Sequence, residues 1–318
     1  MRWLLLLLLV SSCRVWTDRS LPDPIDLHEI TFHKNEGWIV SYGTGQVFKT
    51  SNSGRSWKPV AKLDSLFFEE IQFLDSKQGW LVGERGTLLK TTDGGRQWEK
   101  LEVDADESHN LLFYSMFWHD SDQGWLSGHV RKGTQIQNYI YTSVDGGFSW
   151  TKHAAPALFF NLVKTTDGTW WASATDKIYT SKNGTDWIES FSDSLKSCGQ
   201  LRGLTIAGEN NLLSTGFKGN LLSSTDAGYT WHVQKVSTNR LRQVQRLNDH
   251  SILLAGDKTT GANNVLISYD NGLSWNTLEI KSDVHRVVTH KSKVWLIGKK
   301  GLILSGKRNK ILKNRTTK

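Results

Sequence analysis

Three arginines, Arg202, Arg242 and Arg286, recur at intervals of 40 and 44 residues, each two positions ahead of an apolar residue (Leu204, Val244 and Val288). A guanidinium is a planar fork of five donors that proteins do not deprotonate, so three brought together would suit a carboxylate or another oxyanion. Upstream, His28, Glu69, Ser115 and Asn161 fall in the same phase. Other chemistry is poorly provided for. The ten histidines, His109, His119, His129 and His153 among them, lack His-x-x-x-His or Glu-flanked spacing, so no metal centre is expected. There is no phosphate-cradling GxxxxGKS and no strand-to-helix GxGxxG, so no nucleotide cofactor and no catalytic residue is assigned.

Whatever positions those arginines must repeat as they do. A second recurrence supplies the frame: TSNSGRSW ending at Trp57, TTDGGRQW at Trp98, SVDGGFSW at Trp150, TSKNGTDW at Trp187, STDAGYTW at Trp231 and SYDNGLSW at Trp275. The tryptophans are 41, 52, 37, 44 and 44 residues apart, the length of one propeller blade. Asn52, Asp93, Asp145, Asp226 and Asp270 can accept backbone hydrogen bonds within a tight turn. The following glycine permits positive φ, and the Trp is expected to fold under the turn and pack between sheets. In the fourth phrase Lys182 is expected at the acid position, with Asn183 shifted by one. These residues read as structural.

Upstream of each turn phrase lies another register: Trp38 in NEGWIV, Trp80 in KQGWLV, Trp125 in DQGWLS, Trp171 in GTWWAS, and Trp295 in KVWLIG. Period-two apolar segments between turn signals make four short strands per repeat. The fold class is therefore all-β: one seven-bladed propeller of four-stranded antiparallel blades over residues 13–306. The seventh blade lacks an outer strand. Val15–Thr17 has the right spacing to supply it and close the ring; Ile311–Leu312 is the alternative donor.

Strand order places the inter-blade connections and the loops between second and third strands on one face, and the turn phrases on the other. The three arginines would start inner strands at the mouth of the central channel. Arg85, Lys218 and Lys258 would join them from the loops, making a cationic rim fit to bind a partner. The basic run 307–318 reads as a disordered tail.

Residues 1–12 read as a signal peptide, with Arg2 ahead of an apolar run too short to span a bilayer. Val10-Ser11-Ser12-Cys13 resembles a bacterial lipobox, which implies acylation of Cys13 and a body held at a membrane surface on the periplasmic or external side. Cys198 then has no partner in the chain and reads as an inert buried thiol. A net charge of +8 would suit nucleic acid in the cytoplasm, but export points to anionic protein or lipid surfaces instead.

With blades, turns and lipobox together, the chain resembles the photosystem II stability/assembly factor family of seven-bladed propellers, chiefly through QGWLVGERGTLLKTTDGGRQW. The resemblance implies a non-enzymatic scaffold whose basic face contacts a protein partner, a membrane-protein complex in photosynthetic members; the chain itself is expected to be a monomer. Two other readings stay open. The turn phrase is also the Asp-box of sialidases, which need three converging arginines, a Tyr–Glu nucleophile pair and an Asp. Trp170, expected to be more exposed than Trp171, could instead stack on sugar in a carbohydrate-binding propeller.

Overall fold

A computed structural model describes residues 15–63, 67–257, 264–280 and 282–313. Among these, strands form seven antiparallel sheets of four, each ordered from an inner to an outer strand. Blade one is typical: Leu27–His33 lines the centre, followed outward by Glu36–Ser41, Gln46–Thr50 and Lys58–Lys62. Second strands such as Gly79–Gly83, Leu212–Gly216 and Ile252–Gly256 are buried at every position because neighbouring blades cover both faces. Outer strands such as Lys58–Lys62, Ile188–Ser192 and His232–Lys235 are the exposed ones.

The ring closes as the spacing predicts. Trp16–Asp18 pairs antiparallel with Ile303–Lys307, Trp16 opposite Gly306 and Asp18 opposite Leu304, completing blade seven. The seventh sheet is thus built from both ends of the described chain, and its inner strand Val284–His290 packs against that of blade one. The alternative donor does something else. Arg308–Lys313 is a short helix whose Ile311 is buried, and Tyr269 Oη donates to the Ile311 carbonyl at 3.1 Å. For those residues the expectation of a disordered tail is wrong, because one apolar side chain pins a segment whose composition is otherwise cationic.

The turn phrases form one repeated hydrogen-bond net. In blade five Ser224 Oγ donates to Asp226 Oδ1 at 2.8 Å and accepts from Gly228 N, while Asp226 takes Thr230 N at 3.0 Å and Thr230 Oγ1 at 2.6 Å. Hydroxyl bonds from Ser149, Thr230 and Ser274 hold the carboxyls of Asp145, Asp226 and Asp270 down at about 2. The glycine has a specific reason at Gly54 and Gly228. Both have positive φ, and a Cβ there would run into the ring of Trp295 or Trp171 of the preceding blade. In blade four the acid position belongs to Asn183, not Lys182. Asn183 Oδ1 accepts from Ser181 Oγ, Thr185 N and Asp186 N, because this turn has lost the residue before its glycine.

Indoles weld blade to blade, though not chiefly the ones that end the turn phrases. Trp38 stacks on Phe73 of the next blade at 3.6 Å, Trp80 on Trp118 at 4.0 Å, and Trp125 meets Trp170 at 4.6 Å. Trp295 closes the ladder on Phe32 of blade one at 5.1 Å. The turn tryptophans form a second tier, edge-on for Trp57 on Trp295, Trp98 on Phe73, Trp150 on Trp118 and Trp187 on Phe159, and tilted for Trp231 on Phe191. Trp98, Trp150, Trp187, Trp231 and Trp275 are half-buried, and Trp57 is 9% exposed. Trp170 is 1% exposed, contrary to expectation. It pairs with Ser181 in the register that Gly37 and Gly79 hold opposite Thr50 and Thr91, and it fills the aromatic slot of the ladder from the second strand. It is therefore no sugar platform.

Candidate functional site at the channel mouth

Near its start, each inner strand carries one extra residue. The register slips between Leu27 and Glu29, Phe68 and Glu70, Phe113 and Ser115, Leu201 and Gly203, Leu241 and Gln243, and Val284 and Arg286. In blade four Phe160 N and the pairing of Asn161 share Ser173. Such bulges free a side chain from the pleat and re-aim it. The seven freed residues, His28, Glu69, Tyr114, Phe160, Arg202, Arg242 and His285, all line one cleft at the mouth of the channel. Its volume is about 60 Å³, well short of the several hundred that enclose a small-molecule ligand.

This ring corrects the alignment of the arginines. Arg202 and Arg242 hold equivalent positions, but the ring residue of blade seven is His285, and Arg286 lies one step deeper. Ser115 and Asn161 are likewise one residue past Tyr114 and Phe160. Arg286 is occupied: its Nε sits 2.7 and 2.6 Å from the two oxygens of Glu29, whose Oε1 also accepts Ile30 N. Glu70 lies in the same buried group, accepting Met116 N at 2.7 Å and Ser115 Oγ at 2.9 Å. Burial and the neighbouring Glu29 push its carboxyl up to about 7 against the pull of Arg286.

Arg242 makes a bidentate pair with Asp257, 2.6 and 3.0 Å. Arg202 differs. Its guanidinium lies 3.9 Å over Phe160, 5.2 Å from Tyr114 and 5.6 Å from Phe217, and its Nε donates to Gln200 Oε1 at 3.3 Å. Among the described residues it has no ion-pair partner within 4 Å. Burial lowers its pKa while Glu69 and Tyr114 pull the other way. A half-buried guanidinium held by ring faces, its remaining donors unpaired with acid, is poised for an incoming carboxylate.

Across the cleft His28 Nε2 lies 3.4 Å from Glu69, and His285 Nδ1 lies 2.9 Å from the Leu27 carbonyl. A carbonyl only accepts, so His285 carries its proton on Nδ1 and offers Nε2 as acceptor. Burial opposes ionisation of Glu69, but His28, Arg202 and Arg242 outweigh it and hold the carboxyl below its usual value. Tyr42 and Phe67, both 40% exposed and 4.5 Å apart, stand on the same rim.

Residues 61–155, from the outer strand of blade one through blade three, match the sequence profile of the photosynthesis system II assembly factor YCF48. No curated protein sequence matches the chain. Among solved structures, YCF48 bound to D1 peptide superposes with a TM-score of 0.70 at 21% identity, covering 92% of this chain and 96% of that one. YCF48 from Cyanidioschyzon merolae gives 0.71 at 17% identity, over 92% and 99% of the two chains. The fold is that of YCF48. Virginiamycin B lyase from Staphylococcus aureus has it too, with a TM-score of 0.72 at 14% identity over 92% and 98% of the chains. Likeness at these identities shows the fold alone, and activity has to be argued from the site.

The site does not assemble a sialidase clamp. Arg242 and Arg286 already hold carboxylates, and burial raises the phenols of Tyr42 and Tyr114, the reverse of what a nucleophile needs. Nor is the rim uniformly cationic, since Lys132 pairs with Glu107 and Lys299 with Asp283. Lys218 Nζ donates to the Lys196 carbonyl at 2.8 Å, and Arg85 stands exposed at a left-handed loop position with φ 55°. Lys258 and Cys13 lie outside the described residues. Cys198 is buried with its thiol pushed up to about 11, mainly by burial, and is inert as expected.

Sequence reading missed Tyr114, Phe160 and His285. In blades three, four and seven the bulge falls one residue before the position the phase marks, at Tyr114, Phe160 and His285. The deeper Glu70 makes a direct test of the channel chemistry. Its folded pKa is raised, so the folded protein holds a proton the unfolded chain has released, and stability falls as pH rises from about 4.5 through 7. Glu70→Gln removes that loss. Relative to wild type it should gain on the order of 2–3 kcal/mol between pH 5 and 8, read as diverging denaturant midpoints; parallel midpoints would contradict the assignment.

Proposed function

We propose that this chain is a non-enzymatic scaffold that seats an acidic tip of a protein partner in the channel mouth. One observation carries the reading: Arg202 is a desolvated guanidinium framed by three aromatic rings and paired with no acid among the described residues, in a cleft sized for one side-chain headgroup. A cation half withdrawn from water and left without a carboxylate is a ready site for one. Tyr42 and Phe67 add apolar contact at the rim, the composition of an interface centre.

The match of residues 61–155 to an assembly-factor profile supports the same class of role, and a fold shared with YCF48 bound to D1 peptide supports a peptide-like ligand. On this reading the chain is exported, is acylated at Cys13, works as a monomer at a bacterial membrane surface and assists a membrane-protein complex. Nucleic acid is not its partner. Affinity capture from crosslinked membranes tests the reading. Arg202→Met keeps the apolar stem and removes the charge, and it should weaken binding of the partner by roughly thirtyfold or more, the loss that follows from about 2 kcal/mol for one partner of a desolvated charge pair. Undiminished recovery by Arg202→Met would refute it.

A further inference from the structure

The turn-phrase face, opposite the mouth, is electrically divided. On the side of blades three, five and six it carries Asp145, which is exposed, and the half-buried Asp226 and Asp270. At the junction of blades seven and one it gathers Lys34, Arg55, Lys291, Lys293, Lys307 and Lys310. Topology collects them there. Lys34 and Lys291 sit in the hairpins between first and second strands, Arg55 in the turn phrase, and Lys307 and Lys310 where blade seven runs into the terminal helix.

Contacts confirm the crowding. Lys293 is directly opposite Lys307 in the ladder, its Nζ donates to the Ser53 carbonyl at 3.3 Å, and Lys291 Nζ reaches Asn35 Oδ1 at 2.7 Å. Burial lowers the pKa of Lys293, and the like charges of Arg19, Arg55 and Lys307 lower it further. Glu36, the carboxylate beside Lys34 and Asn35, is taken by Lys49 at 3.2 Å. Solvated cations packed this closely repel one another, and an anionic surface relieves that repulsion.

A second observation indicates which anionic surface. The closing strand begins at Trp16 opposite Gly306, at the turn-phrase end of blade seven, and Val15 O lies 3.1 Å from the position a Gly306 Cβ would take. Cys13 is two residues earlier, a reach of about 7 Å. An acyl chain on Cys13 would therefore leave the body at the edge of this same cationic sector. Acylation there would set anchor and patch side by side, and cations beside an anchored chain add electrostatic attraction to acidic headgroups.

We infer that the blade seven–blade one edge of the turn-phrase face lies on an anionic lipid surface, leaving the channel mouth turned away from the bilayer and open to the partner. The orientation rests on the acylation reading of Cys13; the cationic contact does not. Blades three, five and six lift off because the carboxylates of Asp145, Asp226 and Asp270 are repelled by the same lipid.

The test uses full-length protein extracted from membranes and reconstituted into phosphatidylcholine vesicles with or without phosphatidylglycerol. A fluorophore is placed by Lys307→Cys or, on the mouth side, by Lys218→Cys; the buried Cys198 does not compete for label. A quencher carried in the lipid headgroup region should dim the label at 307 several-fold more than the label at 218, and more so with phosphatidylglycerol. Equal quenching, or stronger quenching at 218, overturns the orientation. Mass analysis of the N-terminal peptide separately decides acylation. If Cys13 is unmodified, vesicle flotation that needs phosphatidylglycerol and is lost in Lys291→Glu/Lys307→Glu/Lys310→Glu still upholds the lipid contact. Flotation indifferent to those changes, or a patch that binds protein or RNA but not vesicles, overturns it.

Discussion

Replacing Arg286 with alanine should destabilise the protein by about 3–5 kcal/mol, the cost of stranding a buried carboxylate. Glu29 is nearly inaccessible, its side chain 6% exposed, and both its oxygens face the Arg286 Nε. Glu70 stands by with a carboxyl already pushed up to about 7, and without the guanidinium it would stay protonated to still higher pH. The double variant Arg286→Met/Glu29→Met should recover most of the loss, because what is expensive is one charge without the other. Denaturant midpoints for the two single variants and the double decide it. A double variant as unstable as the sum of the singles would mean the two residues act independently.

Removing Trp16–Ser20 should cost a similar amount, roughly 3–5 kcal/mol on the scale of excising a large core aromatic. The deletion strips a three-pair ladder from Ile303–Lys307 and removes Trp16 from the cluster that includes Leu296, Ile311 and Leu312. It also takes away the bond from Arg19 N to the Ile303 carbonyl and the one that Ser20 Oγ accepts from Ile303 N. Blade seven would be left with an open edge, the usual template for strand addition by another chain. The shortened protein should therefore melt earlier and self-associate on warming. An unchanged melting curve with a monomeric species would show that the ring does not depend on its clasp.

Blade count, strand order and the closing strand were legible because they are written redundantly. Five blades carry the second-strand Trp and six carry the turn phrase, so a damaged copy of either does not hide the period. The site was less legible. In VHRVVTH both Val287 and Val288 are apolar, so counting back from the wrong one puts Arg286 where His285 belongs. The ladder settles the matter, since Val287 pairs with Leu296 as Val244 pairs with Leu254. Phe160 and Tyr114 were invisible for a related reason: an aromatic just before or within an apolar strand reads as core, and only the bulge turns it toward the mouth. Trp170 misled in the opposite sense. It follows a loop, yet the glycine position it occupies faces the neighbouring blade, and the indole is swallowed there. The fourth turn phrase was misread because a one-residue deletion moves the glycine while leaving Asn183 two positions after its serine, where the acceptor must be.

The most direct test of the mouth as the recognition surface compares two single substitutions on opposite faces in one capture experiment. Arg202→Met and Val144→Ser each remove one contact group, the first from the channel cleft and the second from an exposed turn-phrase tip. The account predicts that Arg202→Met loses the partner while Val144→Ser retains it at wild-type yield. Partner lost through Val144→Ser and kept by Arg202→Met would place recognition on the other side of the propeller and contradict the role assigned to the ring.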